Sequence, residues 1–204
     1  MMQVATGIRS ILSNPLIYEA FQRIMGAGKA RKVFVSKFIE PYPMSNILDI
    51  GCGPAAILAY LPEVNYYGFD ISEAYITKAK AAYGDRGSFH AKYLTFEDIN
   101  QLPKFDLVLL SGVIHHVDDE TAIDILKLAY SALKPHGRLV TTDGCLVDGQ
   151  NPIARFLITR DRGQNIKTEE GYTNLAKNVF SHVDTSICHR RWVPYTLCYM
   201  VCTR

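Results

Sequence analysis

Three groups of residues in this sequence have types and spacing that can do chemistry. The first is the run Ile47-Leu48-Asp49-Ile50-Gly51-Cys52-Gly53-Pro54, with Asp70 further on. Glycines lack a Cβ, so Gly51 and Gly53 can adopt strained angles and let the backbone approach a ligand closely. Asp70 ends the next apolar run, where a carboxylate can accept two hydrogen bonds from ribose hydroxyls. Its alternative role, a helix cap, is open to Ser72 instead. The second group is His115 and His116, after the apolar run Leu107-Val108-Leu109-Leu110. Histidine is the natural base near neutral pH. His116 is preferred for that role, and the alternative is one ring packed in the turn and the other exposed. The third group is Arg160 and Arg162, flanking Asp161 just before Gly163. Planar guanidinium groups suit a carboxylate or phosphate on a substrate. The alternative is a solvated helix end with local ion pairs.

The elements that position these groups alternate. Asn46 to Ile50, Val64 to Asp70, Ser88 to Leu94, Phe105 to Ser111 and Arg138 to Asp143 read as strands. Helices run between them to about Leu61, to about Tyr83 and to Leu133. Such alternation gives a parallel sheet covered by helices on both faces. Ahead of it, helices from Asn14-Pro15 and over Lys29 to Ile39 form an N-terminal cover, with Tyr18, Phe21 and Gln22 placed to line a lid. After it, Pro152 to Thr159 and Thr168 to Val179 read as helices. Ser181 to Cys188 and Val193 to Thr203 are consecutive strands with a short link, hence antiparallel. The expectation is an α/β domain over residues 1–204. It divides into a helical cover (1–45), a cofactor-binding core (46–143), a substrate-side insert (144–180) and a terminal strand pair (181–204).

Gly51, Gly53 and Ala56 also satisfy the G-x-G-x-x-A form of a nicotinamide dinucleotide site. Asp49 speaks against it, because a carboxylate before the turn would repel a pyrophosphate and suits a cationic amino-acid tail. The closing strand pair also departs from a plain dinucleotide fold.

On these residues the chain resembles the class I S-adenosylmethionine-dependent methyltransferases. The resemblance covers residues 46–143 and includes the run from Phe105 to His116 and Leu133-Lys134-Pro135-His136-Gly137-Arg138-Leu139. It implies a Rossmann-like, mostly parallel seven-stranded sheet with an antiparallel terminal strand. It also implies S-adenosylmethionine as cofactor, with Asp49, Gly51, Cys52 and Gly53 at the methionine end and Asp70 on the ribose. Ile71 would pack on the adenine, and Tyr93, Leu94 and Ser111 would complete the site. Two positions depart from the family: Ala55 stands where a third glycine is frequent. Tyr93 stands where an acid commonly meets the adenine amino group, so Tyr93 itself, or Glu97 or Asp98 reaching back, must serve. The implied activity is methyl transfer to an oxygen or nitrogen of a small molecule, with His115 or His116 as base. Tyr18, Arg160 and Arg162 would contact an anionic substrate. A nicotinamide-dependent oxidoreductase and a non-catalytic cofactor-binding protein are the alternatives.

Composition bounds the partners. The 204 residues carry 22 basic and 20 acidic side chains, for a net charge of +2, and no basic run suggests a nucleic-acid partner. The five cysteines are odd in number and lack a Cys-x-x-Cys pair, which disfavours a disulfide framework or a metal site and fits a reducing, cytoplasmic setting. No secretory leader or membrane-spanning run is expected.

Overall fold

A computed structural model describes residues 27–160, 163–190 and 194–204. The helix expected from Asn14-Pro15, Tyr18 within it, and Arg162 lie outside the described residues.

The frame is a sheet with strand order β3-β2-β1-β4-β5-β8-β7. Strands β1 (Asn46–Ile50), β2 (Asn65–Asp70), β3 (Gly87–Ala91), β4 (Phe105–Ser111) and β5 (Leu133–Leu146) run parallel. β7 (His182–Arg190) and β8 (Tyr195–Thr203) close it as an antiparallel pair, with β8 also antiparallel to β5. A two-residue strand, β6 (Lys167–Thr168), pairs with β5 at Cys145 and Leu146. Among the described residues the sheet therefore has eight strands where seven are expected. The extra one is too short for an apolar pattern to announce.

The chain moves outward from β1 to β2 and β3 on one side, then crosses back to β4 and β5 on the other. That reversal opens a crevice beyond the carboxyl ends of β1 and β4, where ligands of open α/β sheets bind. β4 explains why its sequence reads as an unbroken apolar run. Leu107 and Leu109 join the core on one face, while Val108 and Leu110 join the core on the other. The first face is covered by α1 (Ala27–Phe34) and α2 (Glu73–Tyr83), and the second by α4 (Asp119–Ala132) and α6 (Glu169–Lys177). A short helix α3 (Phe96–Gln101) precedes β4, and α5 (Pro152–Thr159) follows β5.

Local chemistry sets the ends. The Ser72 hydroxyl accepts from the Tyr75 amide at the start of α2, leaving Asp70 for other work. Asp118 caps α4 through the Thr121 amide, and Asn151 caps α5 with Pro152 at its first turn. Three sequence expectations needed correction. The helix expected to reach Leu61 is a 3-10 turn over Ala56–Tyr60. Leu61 is extended because the residue before Pro62 is pushed away from helical angles. The helix expected over Lys29–Ile39 is α-helical only to Phe34 and ends in a wider π turn, Val35–Ile39, with Glu40 left-handed before Pro41. β5 extends beyond Arg138–Asp143 at both ends, with a register shift between Phe105 and Leu107 and His136 at φ +64°.

Candidate active site

The glycine turn follows β1 directly. Gly51 sits at φ +76° and Gly53 at φ +53°, both in the left-handed region. The amides of Gly51 and Cys52 donate to the Phe69 carbonyl at 2.7 and 3.0 Å, tying the turn to the end of β2. The two glycines have different reasons. A Cβ on Gly51 would lie 2.6 Å from Val113 Cγ2, so this residue lets the β1 turn lean on the loop after β4. A Cβ on Gly53 would meet nothing within 4 Å, so here the turn borders open space. Ala55 is left-handed at φ +53° and fully buried, a strain of about 1–2 kcal/mol in a residue with a Cβ.

Asp70 belongs to the same turn. Its Oδ2 accepts from the Gly53 amide at 2.9 Å and its Oδ1 from the Ser72 amide at 2.8 Å. Each oxygen retains a second lone pair, so the carboxylate can still accept from a diol. Asp49 points into the sheet core. It is only 3% exposed, and the Tyr66 hydroxyl donates to its Oδ2 at 2.5 Å. Its Oδ1 is buried with no hydrogen-bond partner. Burial pushes this carboxyl up to about 7, opposed by the Tyr66 hydrogen bond and assisted by Asp70. Burial also pushes the Cys52 thiol up.

The rim beyond β2 and β3 is apolar and open: Ile71 is 58% exposed and Tyr93 66%, while Leu94 is buried. Asp98 is committed elsewhere. It closes the capping box of α3 with Thr95 and pairs with Lys92. Ser111, at the end of β4, is exposed. A cradle of open space at Gly53, an orphaned acidic oxygen at Asp49 and an exposed apolar rim fit a ligand with a cationic amino acid at one end and a nucleoside at the other. Among the described residues, no three His, Cys, Asp or Glu side chains converge as a metal site requires.

After β4, Gly112 at φ +71° turns the chain, and a 3-10 turn over Ile114–His116 carries both histidines. His115 is the buried one. Its Nδ1 lies 2.7 Å from Asp143 Oδ1, and its backbone amide donates to the same oxygen at 3.2 Å. The Asp143 side chain is 1% exposed, and its Oδ2 has no partner. A carboxylate beside Nδ1 favours the tautomer with the proton on that nitrogen. His116 is half-buried, with its ring centroid 4.2 Å from that of His115. The insert after β5 closes over this turn. The Asn165 amide donates to the His115 carbonyl at 3.0 Å, and Gly163 lies so close that a Cβ there would overlap the imidazole.

Asp143 and Tyr66 are residues that sequence reading missed. The one signal for Asp143 in the sequence is an acid at the end of the fifth strand, and the register that pairs Thr142 with Ser111 carries it to the turn after β4. Arg160 ends α5, exposed, with its guanidinium 4.9 Å from the Phe156 ring centroid.

The fold is a mostly parallel α/β sheet closed by a terminal antiparallel pair. Residues 48–139 match a family model described as a methyltransferase domain. The chain is similar to phosphoethanolamine N-methyltransferase 1 of Zea mays, 28% identical over 200 residues, covering 87% of this chain and 38% of the relative. It is also similar to (iso)eugenol O-methyltransferase of Clarkia breweri, 25% identical over 142 residues, covering 65% of this chain and 37% of the relative. A solved S-adenosylmethionine-dependent methyltransferase from Archaeoglobus fulgidus shares the fold, with a TM-score of 0.71 at 17% identity, over 92% of this chain and 99% of that one. The chain spans less than half the length of these two curated relatives. Residues 48–139 are thus similar to a methyltransferase domain, and the fold is one that solved S-adenosylmethionine-dependent methyltransferases share.

Proposed function

We propose that this chain transfers a methyl group from S-adenosylmethionine to an oxygen or nitrogen of a small molecule. The observation that carries the reading is the buried His115–Asp143 pair, placed beside the glycine turn by the contact of Gly51 with Val113. A cofactor cradle and a fixed imidazole on one sheet edge are what alignment of an acceptor with a sulfonium methyl requires. Both curated relatives described above carry methyltransferase names, one acting on nitrogen and one on oxygen.

In this reading Asp49, Gly51, Cys52 and Gly53 hold the methionine end, and Asp70 holds the ribose. Ile71 and Tyr93 flank the adenine, with Leu94 behind them and Ser111 at the mouth. The bound cofactor supplies an electrophilic methyl on a sulfonium sulfur. His115 serves as the base for the acceptor's proton, while Asp143 holds the imidazole and stabilises its protonated form. His116 packs on that ring and shapes the site beside it. Residues 144–180 form the substrate side, and Arg160, with Arg162 and Tyr18, binds an anionic group on the acceptor. No helix among the described residues is long and apolar enough to cross a membrane. A cytoplasmic location and a small-molecule rather than nucleic-acid partner complete the proposal.

The test is methyl transfer from labelled S-adenosylmethionine across a panel of phenols, carboxylated anilines and phosphorylated amines. His115→Asn should lower kcat by roughly 100-fold or more, within the usual range for a general base, and leave cofactor affinity unchanged. Cofactor binding without turnover on any acceptor would instead identify a non-catalytic binding protein.

A further inference from the structure

Asp49 and Tyr66 form an acid pair that methyl transfer itself does not use. They sit on adjacent strands and face the same core cluster. Asp49 is in register with Gly68, two residues beyond Tyr66 on β2. Gly68 makes the pairing possible. A Cβ there would lie 2.8 Å from Cys52 Sγ and 3.0 Å from the Tyr66 ring, so only glycine leaves the ring room beneath the carboxyl. Tyr66 is 2% exposed and Asp49 3%, and their oxygens are 2.5 Å apart. Asp49 Oδ1 lacks any partner.

Among the described residues, the groups that act on this carboxyl are all acids. The groups acting on it are the Tyr66 hydroxyl on β2 and the Asp70 carboxylate at the end of that strand. Cys52 in the turn faces it, and Tyr83 of α2 acts on Tyr66 in turn. None of these is a cation. An ionised Asp49 would be desolvated opposite a second acid with one oxygen unsatisfied, which disfavours its charge. The Tyr66 hydroxyl donates to the ionised form and pulls the other way. An ammonium group at Oδ1 would supply both the missing donor and the missing positive charge.

We propose that Asp49 and Tyr66 make cofactor binding proton-linked: Asp49 carries a proton in the ligand-free protein and releases it when the cofactor's ammonium is seated, and Tyr66 sets the pH at which this happens. The proposal rests on the assignment of the glycine turn to the methionine end of S-adenosylmethionine. The exchange balances. The Asp49 carboxyl O–H breaks, its proton passes to buffer, and the carboxylate accepts from an ammonium that keeps its own protons. The push of burial places the Asp49 carboxyl near neutrality, so the exchange falls in the physiological range.

Calorimetric titration of the whole chain with S-adenosylhomocysteine, in buffers of low and high ionisation enthalpy, reads the exchange. At pH 6.5 the heat should depend on buffer and correspond to roughly three-quarters of a proton released per ligand. By pH 8.5 the release should be nearly gone. Asp49→Asn should bind with buffer-independent heat. Tyr66→Phe keeps the acid but loses the donor, so its release should persist and its midpoint should move to higher pH. Buffer-independent heat in the unaltered chain overturns the proposal while leaving the cofactor assignment intact. Release that survives Asp49→Asn, or a midpoint unmoved by Tyr66→Phe, also overturns it. Failure to bind S-adenosylhomocysteine at any pH overturns the cofactor assignment, and the proposal with it.

Discussion

The imidazole of His115 and the carboxylate of Asp143 meet at 2.7 Å, with the His115 backbone amide on the same oxygen. One acid thus meets both the backbone and the ring of this turn. Asp143→Asn removes the charge but keeps the size. It should lower kcat at least about tenfold, part of the range for acid–base catalysis. It should also move the acidic limb of the kcat/KM profile to lower pH, because an imidazolium loses its carboxylate neighbour. A merely structural Asp143 would leave that limb in place.

The two glycines of the turn should separate fold from ligand. Gly51→Ala combines a left-handed φ with a clash on Val113, and should destabilise by roughly 1–3 kcal/mol in denaturant titrations. Gly53→Ala pays the same φ strain but meets no neighbour. Its larger effect should be on S-adenosylhomocysteine affinity, since its Cβ enters the cradle. Equal affinity losses in the two variants would contradict the distinction.

Asp70→Ala should weaken cofactor binding by about 1.5–3 kcal/mol, the scale of charge-assisted hydrogen bonds. The Asp70 carboxylate also receives the Gly53 amide, so Asp70→Asn, which retains one acceptor, should lose less. An unchanged dissociation constant in folded Asp70→Ala would remove the ribose role.

Stability should depend on pH through Asp49. Its carboxyl is raised from an unfolded value near 3.8 to about 7 in the folded chain. A raised group favours the folded state below the unfolded value, and that contribution is lost as pH rises through about 7. Thermal melts of the ligand-free chain should therefore fall between pH 5 and pH 8, by an amount on the order of a few kcal/mol at about 1.4 kcal/mol per unit. Asp49→Asn should flatten the slope. A slope unaltered by that substitution would assign it to another group.

Arg160→Lys keeps the charge but loses the planar fork. It should raise KM for an anionic acceptor and leave cofactor affinity alone. Unchanged KM would reduce Arg160 to its observed packing on Phe156.

Much of this was legible in the sequence for physical reasons. The β4 run is apolar on every residue from Leu107 to Leu110 because both sheet faces are covered there, and the glycine turn announces itself because its angles exclude most side chains. What escaped were relations set by tertiary contact. The sequence favours His116 as base only slightly, because nothing local distinguishes the two histidines. Only the register of β4 with β5 brings Asp143 to His115. The Asp49–Tyr66 bond depends on the pairing of β1 with β2 and on the space above Gly68. Of Tyr93, Glu97 and Asp98, the sequence does not single out one for the proposed adenine edge, and the capping box that engages Asp98 becomes evident only in the structure.

The most direct test of the central claim is equilibrium binding by calorimetry of S-adenosylmethionine, S-adenosylhomocysteine and the nicotinamide dinucleotides to the unaltered chain. The account predicts that both adenosyl compounds bind and that the dinucleotides bind far more weakly, because a pyrophosphate beside the turn brings neither a donor nor a positive charge to the unsatisfied Oδ1 of Asp49. Tight dinucleotide binding with no adenosylmethionine binding would contradict it.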